Sequence, residues 1–281
     1  MSDAPRPRGA RAWARRWRTW SRLRRSLLPL LAAATVLILW EWAVRAFHVR
    51  PFVLPLPSQV AVALVSEAGL LLPATVVTAQ EIVLGFLLAV AVAVPLAVAL
   101  ASSRWVEETF FPLIVSAQLV PKVALAPVLT VWLGLGTMTK LTVAFLLSFF
   151  PILIDTMIGL QSVETGKILL ARSMGASTRL MFFKIRLPSA LPNLFGGMKV
   201  ASTLAVVGAI VGEFIGAKGG LGNVLLIANS NFDMVMMFAG ITYLTAVGII
   251  LFVALDTIER LMIPWHVSHR QLLEPTIQSK R

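Results

Sequence analysis

Five ionisable side chains fall in or beside strongly apolar runs of this sequence: Glu41, Glu81, Lys122, Asp155 and Glu213. A charge at the middle of a bilayer costs at least a few kcal/mol, so each must face a bundle interior, find a partner or reach an interface. Glu41 lies between Trp40 and Trp42 near the end of its run, and Glu81 lies near the end of its own, positions that favour interfacial roles. Lys122 follows directly on Pro121, and Asp155 sits deep in an apolar run; for these two, a cavity-facing role and a structural ion pair are both open. Glu213 lies between Gly212 and Gly216. With Pro127, Gly208 and Gly212, the residues Pro121, Lys122, Asp155 and Glu213 are the candidates for lining a path across the membrane.

No constellation for bond chemistry accompanies them. The sequence has no cysteine, which excludes disulfides, thiolate nucleophiles and Cys-held metal. Its three histidines, His48, His266 and His269, lie outside the apolar runs, and Trp265 beside the last two favours an interfacial anchor over a metal site. Gly216 to Gly222 (GAKGGLG) lacks the Lys-Ser/Thr ending of a phosphate-binding loop. A membrane-bound enzyme therefore has no nucleophile and base to recommend it, and no catalytic residue, metal or cofactor is assigned to this chain.

The elements that must position these residues are membrane spans. Of 281 residues, 58% are hydrophobic and only 14% charged, where a soluble domain would carry roughly a quarter. The net charge of +12 would suggest nucleic acid in a soluble protein. Here the basic residues gather at the two ends and in one central stretch, as the excess of cations on cytoplasmic segments requires. At 1.5 Å per residue, about 20 apolar residues cross the hydrocarbon core. The spacing predicts spans over Ser26–Phe47, Gln80–Ser102, Phe110–Leu135, Leu141–Leu160, Leu191–Ile215 and Phe232–Ile258, with both termini cytoplasmic. Residues 1–25 form a basic tail whose Trp13, Trp17 and Trp20 suit either a surface helix or a topogenic segment; 26–262 form the transmembrane unit and 263–281 a second cytoplasmic tail. RPFVLPLP (50–57) reads as an extended outer connector and Gln59–Leu72 as an interfacial helix. Pro121 and Pro127 interrupt the third span, and non-helical backbone at that depth is tolerated only inside protein or along a wet cavity. Ala205, Gly208, Gly212 and Gly216 make a small-residue stripe, which serves either packing within one subunit or a subunit interface.

Between the fourth and fifth spans lies ARSMGASTRLMFFKIRLPSALPNLFGGMK (171–199), too polar to cross a bilayer. A short helix is expected over Leu170–Ser177 with a tight turn at Gly175, a second over Leu180–Ile185, and Pro188 and Pro192 at the entry to the next span. The cytoplasmic segment that contains both helices spans about 161–189.

This stretch resembles the cytoplasmic signature of bacterial ATP-binding-cassette importer permeases, a Gly followed by nine residues and then I-x-L-P: here Gly175 and Ile185, Arg186, Leu187, Pro188. The signature opens on E-A-A ahead of that glycine: Ala171 matches its first alanine, Leu170 stands where it has Glu, and Arg172 replaces its second alanine. PFVLPLPSQV, VPKVALAPVLTVWLGLG, FFPILIDTMIGL, VVGEFIGAKGGLG and IPWH are similar to the nitrate/sulfonate/taurine-type branch, over about residues 35–267. The resemblance implies an all-α, six-helix type I permease fold and a coupling helix that docks on a separate ATPase. Ala171, Gly175, Ala176, Ile185, Leu187 and Pro188 would shape the docking elbow, and Arg172, Arg179, Lys184 and Arg186 would engage the partner. It further implies two cassette ATPase subunits holding ATP and magnesium, a second permease copy, and an extracytoplasmic binding protein. Relatives of this type import sulfonates, nitrate and bicarbonate, or pyrimidine thiamin precursors and flavins. Asp155 stands where anion importers often have Asn, which favours a neutral or cationic heterocycle. The competing class is a self-sufficient secondary transporter using Lys122, Asp155 or Glu213 for ion coupling.

Overall fold

The computed structural model describes residues 9–216 and 219–264 of the protein. The N-terminal arginines before Gly9, Lys218, and the tail with Trp265, His266 and His269 lie outside the described residues. Among the described residues there are eleven α-helices and no strand. Five are long and apolar enough to cross a membrane, and a bent pair supplies a sixth crossing.

The first crossing is in α1 (Gly9–Ala46), whose helical backbone runs on from the basic tail without a break. Its apolar part is mostly exposed, the expected state of a helix whose surroundings are lipid. The short α2 (Pro57–Ser66) follows and leads into α3 (Ala68–Ala101). The second crossing thus starts twelve residues before the expected Gln80, and the predicted interfacial helix splits between α2 and the first turns of α3. Pro73, in the second turn of α3, and Pro95, further along, each remove one i→i−4 hydrogen bond from the helix.

The third crossing is broken as the prolines require. α4 (Arg104–Gln118) ends before Pro121, a 3-10 turn covers Lys122–Leu125, and α5 (Ala126–Leu133) has Pro127 in its first turn. The two halves meet at 76°. α6 (Thr137–Gln161) then runs parallel to α3: Glu81 meets Lys140, and Gly85 lies against Ala144 one turn on.

The core is formed by α6 and α9 (Leu187–Gly216), which run antiparallel in contact over their full length. A Cβ added at Gly197 would lie 2.8 Å from Asp155 Cβ, one at Gly208 2.6 Å from Ala144 Cα, and one at Gly212 2.8 Å from Lys140 Cα. The small-residue stripe is thus filled by α6 of the same chain, with backbones close enough that a methyl group would not fit. Around this seam Ile82, Phe86, Ile152, Leu153 and Met157 pack with the alanines of α3 and α9.

After α9 the chain turns into α10 (Leu221–Ser230), an apolar helix too short to span, and returns through α11 (Met234–Met262). The sequence reading assigned no element between the spans ending at Ile215 and starting at Phe232, where α10 lies. α10 packs on α11, α9 and α3.

Candidate functional site

Two polar regions occupy opposite ends of the bundle. The first is the elbow between α6 and α9. α7 (Thr165–Ser173) ends earlier than the predicted Leu170–Ser177 helix, because Gly175 follows its C-cap rather than lying inside it. Gly175 has φ +79°, its N–H donates to the Arg172 carbonyl at 2.9 Å, and the Ala176 N–H donates to the Ala171 carbonyl at 3.0 Å. That pair of bonds is the Schellman closure, which requires a left-handed residue where Gly175 stands. Ser177 then caps α8 (Thr178–Met181), its hydroxyl accepting from the Leu180 N–H at 3.3 Å. A π-helical turn over Phe182–Arg186 leads without interruption into α9 at Leu187 and Pro188.

The elbow therefore brings together Ala171, Arg172, Gly175, Ala176, Arg179, Lys184, Ile185, Leu187 and Pro188. Arg172, Arg179 and Lys184 are exposed. So are large apolar side chains: Leu170 at 63%, Met174 at 79% and Leu180 at 50%. Behind it, between the ends of α3 and α6, is a cavity of about 340 Å³ whose lining includes Arg172, Arg179 and Arg186.

The second region is a buried polar cluster at the other end. Lys140 Nζ donates to Glu81 Oε1 at 2.6 Å, with both side chains less than a tenth exposed. Beside them Glu213, fully buried, accepts from the Thr78 hydroxyl at 2.7 Å and from the Gly222 N–H. Thr78 Oγ1 in turn accepts from the Leu221 N–H at 2.7 Å. Gly220 has φ +99°, and an added Cβ there would strike the Glu213 carboxylate, so the turn into α10 is moulded around that side chain. The Glu213 carboxyl group thus meets the first turn of α10 directly through the Gly222 N–H and indirectly, by way of Thr78, through the Leu221 N–H, the end of a helix that favours an acidic group.

The predicted path residues do not form one group. Gly208, Gly212 and Glu213 are buried in the α6–α9 seam and the α10 turn. Lys122 is part-buried, donates to the Gln118 carbonyl at 2.6 Å, and lies 4.5 Å from the centre of the Phe150 ring. Asp155 is part-buried against Gly197, with no hydrogen bond or ion pair among the described residues. Pro121 and Pro127 are exposed at the bend of the third crossing. Glu41, read from sequence as interfacial, binds Arg45 and accepts from the Ser58 N–H at 3.1 Å and hydroxyl at 2.9 Å, pinning the start of α2.

Sequence reasoning missed Lys140 as Glu81's partner, and it missed a second cluster in which Lys199 bridges Asp256 at 2.6 Å and Glu259 at 2.5 Å. That cluster ties α9 to the last turns of α11. The available signal was charge balance: an isolated lysine beside a span needs a carboxylate on another helix.

The geometry has relatives. The inner-membrane components of binding-protein-dependent transport systems match residues 81–264, which hold α6, the elbow, α9, α10 and α11. The chain belongs to this family. The permease is 34% identical to the formylaminopyrimidine transport permease ThiX of Halalkalibacterium halodurans, over 85% of its own length and 96% of that protein's. It is 35% identical to the riboflavin transport system permease RibX of Chloroflexus aurantiacus, over 83% and 88% of the two chains. It is 28% identical to the taurine transport permease TauC of Escherichia coli, over 89% and 94%. It is therefore a multi-pass membrane permease of the ATP-binding-cassette importer type.

Proposed function

We propose that the permease forms the substrate pathway of an importer and passes force to it from separate ATPase subunits through the α7–α8 elbow. The observation that carries this is the elbow itself. A glycine-closed turn projects Leu170, Met174 and a set of arginines beyond the apolar helices, leaving an apolar surface that nothing among the described residues covers. Exposed apolar side chains rimmed by charge are the mark of a protein contact.

In this reading two permease copies work with two cassette ATPases, which hold the nucleotide and magnesium, and with a binding protein on the far side. Both termini and the elbow are cytoplasmic, consistent with an even number of crossings and with Lys167, Arg172, Arg179, Lys184 and Arg186 on that segment. Ala171, Gly175 and Ala176 shape the docking knob, and Ile185, Leu187 and Pro188 join it to α9. Closure of the ATPase pair moves the two knobs as rigid bodies. Because α9 has no slack against α6, the motion reaches the membrane core as a shift between packed helices. The permease's part is gating and coupling, with no bond made or broken in this chain.

Pro121, Lys122, Pro127 and Asp155 are the proposed path residues; Gly208, Gly212 and Glu213 serve it by holding α6, α9 and α10 together. The proposed cargo is a nitrogen heterocycle of the pyrimidine or flavin class. Two of the relatives named above carry such compounds in their names, and an unpaired Asp155 carboxylate would repel an anion. The test is uptake by the reconstituted complex of a formylaminopyrimidine, riboflavin and taurine in parallel, with Asp155→Asn alongside. Uptake of taurine alone would overturn the substrate reading.

A further inference from the structure

The cavity behind the elbow has a composition that docking on an ATPase does not use. Its volume is about 340 Å³, within the range of small-ligand sites, about 300–1,000 Å³. Three guanidiniums, Arg172, Arg179 and Arg186, line it, and no acidic side chain does. None of the three has a carboxylate partner among the described residues. The nearest acidic residue in sequence, Glu164, pairs with Lys167 at 3.3 Å instead. Three cations facing one hollow repel one another, and an anion between them removes that repulsion. Apart from the hydroxyls of Ser102 and Thr178, the rest of the wall is apolar, with Ala101 of α3, Leu160 of α6 and Phe182 of the π-turn among it. These stand at the ends of membrane-crossing helices, so the hollow opens where a bilayer's headgroups begin.

We propose that this cavity binds the phosphate headgroup of an anionic phospholipid, with the glycerol and upper acyl chain against the Ala101, Leu160 and Phe182 wall. Guanidinium is the group suited to phosphate, offering paired donors in a planar fork. A basic hollow between helix ends at the membrane surface is the expected form of a headgroup site. A soluble phosphate would leave the apolar wall unused, whereas an amphiphile matches both halves of the lining. The inference rests on the orientation proposed above for naming the cytoplasmic leaflet, and it gives Arg179 and Arg186 a ligand other than the ATPase. A lipid seated there would brace α8 and the π-turn against α3 and α6, stiffening the link through which the elbow moves α9.

The experiment is native mass spectrometry of the full permease in detergent, titrated with phosphatidylglycerol, with phosphatidylcholine, or with inorganic phosphate. Wild type should retain phosphatidylglycerol in preference to phosphatidylcholine, and Arg179→Gln/Arg186→Gln should weaken that retention about twentyfold. Lys167→Gln, which removes a cation from the same segment outside the cavity, should leave it unchanged. No headgroup preference in wild type, equal retention in the double variant, or release of lipid by millimolar phosphate would each overturn the proposal. If the double variant does not fold, the shift in wild-type thermal unfolding on adding each lipid decides the matter: a rise with phosphatidylglycerol only supports the site, and equal rises refute it. Capture of the cassette ATPase by the double variant separates the two readings. Undiminished capture with lipid lost supports the lipid site; lost capture with lipid retained refutes it and leaves the coupling reading standing.

Discussion

Glu81 on α3 and Lys140 on α6 meet at 2.6 Å with both side chains buried, fifty-nine residues apart in sequence. The pair fixes the rotation of two parallel helices at the end of the bundle away from the elbow. The second Glu81 oxygen, Oε2, is buried and has no hydrogen-bond partner among the described residues, so the ion pair to Lys140 is what chiefly offsets the desolvation of the carboxylate. Removing one partner is therefore far worse than removing both. Lys140→Met should destabilise the permease by about 3–5 kcal/mol, and Glu81→Leu/Lys140→Met should recover most of that loss. Thermal unfolding of the purified variants, read as a double-mutant cycle, checks it.

Thr78 is the hinge pin of the α10 turn, donating to Glu213 and accepting from the Leu221 N–H. Thr78→Val keeps the shape and removes both bonds, leaving a buried carboxylate oxygen and a buried N–H short of a partner. The expected cost is about 1–3 kcal/mol for each group left unsatisfied. Thr78→Ser should restore most of it. Hydrogen exchange at the α10 amides provides the local readout: faster exchange in the valine variant and near wild-type protection in the serine variant.

The α6–α9 seam tolerates nothing larger than hydrogen at Gly208, where an added Cβ would lie 2.6 Å from Ala144 Cα. Gly208→Val should destabilise by at least about 1–3 kcal/mol through forced backbone shift. Gly196, one residue from the buried Gly197, has open space around it, and Gly196→Ala should be harmless. Yield of folded protein and its unfolding temperature distinguish the two.

The elbow offers a test of geometry apart from charge. Gly175 has φ +79° and no atom within 4 Å of where a Cβ would stand, so strain and not crowding opposes substitution. Gly175→Ala should cost about 1 kcal/mol locally and lower the rate of coupled transport, while the α6–α9 seam stays intact. The measurement is transport in proteoliposomes set beside global unfolding: a fall in the first without an equal fall in the second is expected.

Much of this was legible in the residues. Two prolines six apart announced the break in the third crossing, because a missing N–H inside a span must be compensated locally. Gly175 announced a turn, since a basic glycine-containing stretch between apolar runs cannot continue as one helix. What could not be read were relationships between distant helices. Lys140 and Lys199 look like ordinary flanking cations until α3 and α11 bring Glu81, Asp256 and Glu259 to them. Glu81 read as interfacial for the same reason, and is only 3% exposed. α10 was missed because a ten-residue, largely apolar stretch after a glycine run matches no spanning length, and its stability comes from packing on α9 and α11. The small-residue stripe was correctly seen, but only the fold assigns its partner, α6 of the same chain.

The central claim is that the elbow transmits work from a separate ATPase. Proteoliposomes holding the permease, with and without the cassette ATPase, with binding protein on one face and ATP on the other, test it most directly. The account predicts uptake only when ATPase and ATP are both present, and its abolition by Gly175→Arg with membrane insertion unchanged. Uptake by the permease alone, driven by a proton or sodium gradient, would contradict it.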